Sequence, residues 1–242
     1  MNMFRAQQNL AASGHPSARV DAVVISPDPR IGSRRSARPA GGLTKRAIDV
    51  LLVTVGLVLL SPLILGLVIL LKLNNPGPLL YGHRRVGFGG REFKCWKFRT
   101  MVVDGDMVLE RYLRANPSEA AVWSTQRKLV NDPRITQIGA VLRKLSLDEL
   151  PQLLNVLKGD MSLVVPRPVV QEELDNYASS ARHYLAARPG LSGLWQISGR
   201  SGTTYAERVH LDRFYVMNRS IWMDAMIIVK TIPAVIMSRG AH

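Results

Sequence analysis

A single cysteine, Cys95, is all the thiol chemistry that this chain of 242 residues carries. That excludes an intramolecular disulfide framework and a cysteine-rich zinc site, and it reads most simply as a protein of a reducing compartment. The five histidines are too scattered for a metal signature, and H-E-x-x-H, the Walker A loop, the Rossmann glycine fingerprint and G-x-S-x-G are all missing. Acidic residues are few, 18 Asp and Glu against 32 Lys and Arg, for a net charge of +14. Such an excess answers to something anionic: nucleic acid, lipid headgroups or phosphorylated substrates. Aromatic residues make up only 6% and do not interleave with the basic ones, as a base-stacking platform would require, so no nucleic-acid partner is expected. The length allows one domain with appendages, and a hydrophobic content of 47% excludes a fully disordered chain.

The apolar residues are concentrated. From Val50 to Leu71 the chain runs 22 residues without a charge, enough at about 1.5 Å per residue to cross about 30 Å of hydrocarbon. A signal peptide fits poorly, because the run lies well inside the chain and lacks a small-residue cleavage site after it. The competing reading is a buried core helix, which the length disfavours. Ser61-Pro62 stands at the midpoint, where proline removes a backbone hydrogen bond, so a sharp bend is expected. Lys45 and Arg46 precede the run, and Lys72, His83, Arg84, Arg85, Arg91, Lys94, Lys97 and Arg99 follow it. The positive-inside rule therefore holds both ends on the cytoplasmic side. A re-entrant hairpin, hinged at Ser61 and Pro62 and anchored by Lys45 and Arg46, satisfies both clues; a Pro-kinked spanning helix is the alternative.

This divides the chain into three: a disordered basic arm at 1–42, with six Arg against Asp21 and Asp28; a re-entrant membrane helix at 43–73; and the main domain at 74–242 on the cytoplasmic face. The arm is read either as a solvated tail or as an attraction to anionic lipid. Residues 79–87 and 91–101, separated by Phe88-Gly89-Gly90, read as a β-hairpin. One face would pack through Phe93, Cys95 and Trp96 while the other presents Lys94, Lys97 and Arg99, either to phosphate or merely to solvent. A helical stretch follows from about Asp104 to Lys128, then a turn at Asn131-Asp132-Pro133-Arg134 and a shorter helix ending near Lys144. The last stretch, from Ser220 to Met237, is apolar but interrupted by Asp224, Lys230 and Pro233. It reads as an interfacial helix, with a core helix as the alternative. The fold class is thus α-dominated with a small β-hairpin, on a monotopic membrane protein.

Ser146-Leu147-Asp148-Glu149 opens a helix that stops at Lys158-Gly159. Its plainest reading is a capping box, Ser146 accepting from the Glu149 N–H and Glu149 reaching back. The same carboxylates also suit catalysis, since a helix N-terminus keeps a carboxylate ionised and attracts phosphate. Arg143 and Lys144 lie just upstream, and Pro166-Arg167-Pro168 holds a guanidinium in a stiff segment downstream. Mg²⁺ would complete the set if a diphosphate supplied the oxygens that Asp148 and Glu149 do not.

In order along about 200 residues, the chain reads KRAID from Lys45, Ser61-Pro62, KFRTM from Lys97, NDPR from Asn131, LRK from Leu142, SLDELPQ from Ser146, Pro166-Arg167-Pro168 and RPGLSGLW from Arg188. Together these strings resemble the bacterial sugar transferases that move a hexose-1-phosphate onto a polyprenyl phosphate. The chain is similar to the short members that begin exopolysaccharide synthesis. The resemblance implies a monotopic protein on the cytoplasmic face of the bacterial inner membrane, with the re-entrant helix bent at Ser61-Pro62. It implies that UDP-galactose or UDP-glucose is the donor and undecaprenyl phosphate the acceptor. Asp148 would attack the sugar phosphate, expelling UMP and leaving a phospho-Asp intermediate. Glu149 beside it would hold Mg²⁺, with Arg143, Arg167 and Arg99 neutralising phosphate charge and Lys97 and Arg200 as further candidates. A homo-oligomer is compatible with the sequence, which fixes neither oligomeric state nor hexose.

The chain departs from the family pattern at one place. Val165 stands before Pro166, where the resemblance implies glycine. If that position needs a positive φ or close approach to phosphate, the protein is a catalytically impaired scaffold for polysaccharide assembly; if it needs only an extended backbone, valine costs little. The rival from another class is a basic membrane-attached protein that holds nucleic acid or an acidic polymer.

Overall fold

The computed structural model describes residues 38–74, 76–126, 129–198 and 203–236. The expected basic arm therefore falls outside the described residues up to position 37. Its last few residues are fastened rather than loose: Ala40 donates its N–H to Ala186 O at 2.9 Å and packs against a core cluster.

Helix α1, Gly42–Asn74, takes up the whole apolar run and its flanks in 33 residues. Only 11% of its most apolar 18-residue window is buried, and Val58, Leu59 and Leu65 stand in the open. A core helix hides such residues, so the core reading fails and α1 is a candidate membrane segment. The helix is continuous through Pro62. Pro62 lacks the N–H that would reach Val58 O, but Ser61 Oγ donates to that same carbonyl at 2.7 Å. The Ser-Pro pair thus supplies the donor that proline lacks.

Strands β1 (Leu80–Val86) and β2 (Glu92–Phe98) form the expected antiparallel hairpin, Leu80 opposite Phe98 and Val86 opposite Glu92. Strict alternation puts His83, Arg85, Phe93, Cys95 and Lys97 on one face. This corrects the division drawn from the sequence: Lys97 shares the packed face with Cys95, while Lys94 lies on the other with Trp96, its ammonium 6.0 Å from the ring. The expected long helix after Asp104 is two, α2 (Gly105–Ala115) and α3 (Pro117–Gln126). Pro117 cannot continue the hydrogen-bond ladder and bars helical backbone at Asn116.

Helix α4 (Gln137–Lys144) is capped by Thr136, whose hydroxyl accepts from Gly139 N at 3.0 Å. Helix α5 (Gln152–Lys158) stops where expected, at a left-handed Gly159. Beyond it β3 (Ser162–Val164) pairs in parallel with β4 (Gly190–Ser192) across the short helices α6 (Gln171–Asp175) and α7 (Ala181–Leu185). Three-residue strands leave no readable alternation, so this pair had no signal in the sequence. Gly190 is required for it, since a Cβ there would stand 2.2 Å from Val165 O. Helices α8 (Leu194–Ile197), α9 (Tyr205–Asn218) and α10 (Ile221–Ile236) complete a mostly helical fold. Helix α10 packs Met223, Ile227 and Ile228 against Val164, Val165 and Tyr215, yet leaves Trp222, Val229 and Ile232 exposed. It is apolar on both sides.

Both ends of α1 are fixed to this domain. Near its start, Arg46 donates to Val156 O and, at 2.7 Å, to Leu157 O, satisfying the last carbonyls of α5. Asp49 accepts from Ser162 Oγ at 2.6 Å and Leu163 N at 3.4 Å. Val53 packs with Cys95, Leu153, Val156 and Met161. Near its end, Leu67 and Leu71 pack with Phe98 and Leu142.

Candidate active site

The site begins with a strained turn. Between α4 and α5 the chain reverses at Ser146, which takes a left-handed φ of 56° and makes no side-chain cap hydrogen bond. The capping box read from the sequence is therefore not formed. The Glu149 carboxylate is drawn instead to two cations, a stronger pull than a neutral backbone N–H offers. A non-glycine residue held in this conformation costs of order 1–3 kcal/mol, and here the strain sits directly before Asp148.

A single 3₁₀ turn, Leu147–Glu149, then presents both carboxylates. Lys97 Nζ, from the end of β2, lies 2.7 Å from Glu149 Oε1 and 3.5 Å from Asp148 Oδ2. Arg167 Nη2, from the Pro-Arg-Pro segment after β3, donates to the same Glu149 Oε1 at 2.6 Å. Arg143, at the end of α4, is tethered through Nε to Thr100 Oγ1 at 2.8 Å, and its charge acts on Asp148. Residues separated by some seventy positions thus converge because β2 packs on both the turn and α5, while β3 packs on α1, which also packs on α5.

The two neighbours differ in acidity. Burial pushes the Asp148 carboxyl above its ordinary 3.8, against the pull of Lys97 and Arg143. Burial acts on Glu149 too, but Arg167 and Lys97 outweigh it and hold that carboxyl at about 2. Glu149 in turn pushes the Arg167 guanidinium up, fixing its charge. Adjacent carboxylates driven apart in this way are suited to different tasks. Glu149 is held ionised beside its two cations, while the Asp148 carboxyl is buried and the weaker acid of the two.

The remaining expected residues are distributed. Arg99 donates from Nη2 to Pro76 O at 2.9 Å, in the loop after α1, where it lines a small cleft with Leu71, Lys72 and Leu79. Arg200 lies outside the described residues. Lys45 pairs with Asp224 at 2.7 Å and Asp49 at 3.6 Å, so it and Arg46 hold protein partners. Asn131-Asp132-Pro133-Arg134 is a clamp: Arg134 bonds both Asp132 oxygens and covers the Trp123 ring at 4.9 Å.

Val165 is harmless. Among the described non-glycine residues only Ser146 and Ala178 have positive φ. Val165 donates its N–H to Ser192 O at 2.9 Å and buries its side chain beside Tyr215 and Ile227. The positive φ that would have pointed to an impaired scaffold is therefore absent at this position.

Two residues escaped the sequence reading. Arg85 faces the same side of the hairpin as Lys97 and pairs with Glu173 at 4.0 Å; strand parity carried that signal. Asn155 is fully buried in α5 with its amide bonded to β2, and nothing in its local sequence announced it. For a metal, Asp148 and Glu149 are the available donors, and no group of three or more His, Cys, Asp or Glu occurs among the described residues. That donor set suits Mg²⁺ brought with a diphosphate rather than a closed metal cage.

Paired carboxylates of split acidity, with Lys97, Arg143 and Arg167 around them, thus stand on the turn between α4 and α5 in a domain fastened to the apolar helix α1, an arrangement suited to phosphate-bearing substrates. The chain belongs to the bacterial sugar transferase family, whose sequence profile matches residues 40–238. It is 56% identical to the exopolysaccharide production protein ExoY of Rhizobium meliloti, over 86% of this chain and 92% of the relative. It is 46% identical to the undecaprenyl-phosphate galactose phosphotransferase of Salmonella typhimurium, over 87% of this chain but 43% of that longer protein. It is 39% identical to the UDP-glucose:undecaprenyl-phosphate glucose-1-phosphate transferase of Caulobacter vibrioides, over 85% of this chain and 74% of the relative.

Proposed function

We propose that the protein transfers hexose-1-phosphate from UDP-galactose or UDP-glucose to undecaprenyl phosphate, as the first step of exopolysaccharide synthesis. The observation that carries this is the Asp148-Glu149 pair with Lys97 and Arg167 converging on it. Asp148 attacks the phosphorus bonded to the sugar; the phosphoanhydride bond breaks, its electrons leave with UMP, and the hexose phosphate remains on the aspartate. An oxygen of undecaprenyl phosphate then attacks the same phosphorus and restores the carboxylate. One anhydride is exchanged for another, so catalysis consists mainly of positioning and charge stabilisation. Lys97, Arg167 and Arg143 stabilise the negative charge that gathers on the phosphoryl oxygens. When bound, Mg²⁺ held by Asp148 and Glu149 supplies further neutralisation of the diphosphate.

The same reading places α1 in the cytoplasmic leaflet as a re-entrant element, with the site at the membrane surface where a lipid phosphate lies. Its support is the attachment of both ends of α1 to one domain with the middle exposed. A crossing helix would carry one end away from that domain. Helix α10, with Trp222 exposed, suits the interface.

The test is UMP release by detergent-purified protein from each UDP-sugar, with and without undecaprenyl phosphate and EDTA. Carrier-dependent release that EDTA abolishes, and that Asp148→Asn loses while remaining in the membrane fraction, is expected. Full turnover by Asp148→Asn would remove the nucleophile assignment.

A further inference from the structure

Strand β2 has one edge paired with β1 and one edge facing α5. On that second edge the Asn155 side chain accepts from Trp96 N at 3.0 Å and donates to Lys94 O at 2.8 Å. This is how a neighbouring strand would pair, performed by a single amide. Asn155 is 1% exposed, so neither hydrogen bond is open to replacement by solvent. Its backbone carbonyl also accepts from the N–H groups of Gly159, Asp160 and Met161, at 3.0, 3.0 and 3.2 Å, closing the turn that leads into β3 and on to Arg167. One residue therefore joins the helix that follows Asp148 and Glu149, the strand that ends in Lys97 and the segment that delivers Arg167.

We propose that Asn155 is a positioning residue, which sets Lys97 against Glu149 by pairing the outer edge of β2 with its side-chain amide. Helix α5 packs apolar residues on the hairpin, Leu153 and Val156 against Cys95, but apolar contact alone leaves the strand able to slide along the helix. The amide bonds fix the register one residue before Lys97. They thereby fix where a flexible four-carbon side chain delivers its charge, and displacements of about 1 Å at such a site cost rate on the order of a hundred-fold.

The inference rests on the phosphoryl-transfer reading above for its kinetic arm, and Cys95 gives a second arm that does not. Cys95 is the only cysteine, lies between Lys94 and Trp96, and is buried. Under native conditions, Asn155→Ser should speed labelling of Cys95 by a thiol reagent at least about ten-fold beyond Leu174→Ala, a control chosen to lose similar stability in a separate cluster. Asn155→Ser should lower kcat by at least about ten-fold with little change in KM for the UDP-sugar, and in a Lys97→Met background it should cost nothing further. Asn155→Asp, which keeps the acceptor for Trp96 N but turns a carboxylate oxygen toward Lys94 O and the Asp160 carboxylate, should lose at least as much as Asn155→Ser. Labelling no faster than in the control, or losses that simply multiply in the double variant, would overturn the proposal. So would failure of both Asn155 variants to fold, which would assign the residue to the fold alone. Silence of the unsubstituted enzyme with both sugars counts against the reaction, not against Asn155, which the thiol arm then decides.

Discussion

Removing the Arg167 guanidinium while keeping its bulk, as in Arg167→Met, leaves the Glu149 carboxylate buried with Lys97 as its remaining close cation. The depression of Glu149 from 4.5 to about 2 corresponds to about 3 kcal/mol of preference for the ionised, paired state. Glu149 is 17% exposed and Arg167 37% in their side chains, so solvent screens part of the pair, and with Lys97 still present the loss should be about 2 kcal/mol at pH 7. For a chain of this size that lowers the melting temperature by about 4–8 °C. The pH dependence has a definite sign. A carboxylate whose acidity is strengthened on folding stabilises the protein fully above its unfolded value, near 4.5, and loses that contribution as pH falls toward 2. The gap between parent and variant should thus be full at pH 7 and narrow below about pH 4.5. Thermal unfolding followed by tryptophan fluorescence in detergent, from pH 7 to about 3.5, measures it. Glu149→Gln combined with Arg167→Met should recover part of the loss, because no buried charge is then unpaired. Equal melting of parent and Arg167→Met at pH 7, or a gap that widens in acid, would refute the reasoning.

Val165→Gly should lose about 2–4 kcal/mol, from a buried valine and added backbone freedom, with no gain in turnover per folded molecule; denaturation and initial rates measured together check it. Ser146→Gly should be more stable by up to about 1 kcal/mol, since glycine adopts the left-handed turn without strain; a lowered melting temperature would contradict this. Asp212 is buried, accepts from Tyr177 Oη at 2.7 Å, and is pushed up to about 6 by burial against the opposing effects of Tyr177 and Arg208. A carboxyl weakened on folding costs stability as pH rises from near 3.8 toward 6. Asp212→Asn should therefore be more stable than the parent at pH 7, by up to about 3 kcal/mol, with the advantage vanishing near pH 4.

What the sequence disclosed and what it withheld follow from the range of the forces concerned. The length and neutrality of 50–71 needed no partner to be read, and neither did the hairpin glycines or the stop at Gly159. Asp148 and Glu149 were legible as a pair, but their division of labour was not. That division is set by Lys97 and Arg167, which lie 52 and 18 residues from Glu149 along the chain. The capping box at Ser146 was a sound local expectation overruled by those distant charges. Asn155 was invisible because a polar residue within a helix reads as solvent-facing until the strand it serves is in place.

The double attachment of α1 has a practical meaning for anyone wishing to handle this enzyme without lipid. Cutting away residues 42–74 would strip Phe98 and Leu142 of Leu67 and Leu71, and Leu153, Val156 and Met161 of Val53. It would also uncap the carbonyls that Arg46 holds and leave Ser162 without Asp49. The strand that aims Lys97, the helix that ends in Arg143 and the turn that leads to Arg167 would each lose a wall. The apolar helix is therefore no removable tether, and a water-soluble catalytic fragment is not to be had by truncation. Solubility has to be sought by repainting the outward stripe of Leu51, Val55, Val58, Leu59, Leu65 and Ile69 while leaving the inward contacts untouched.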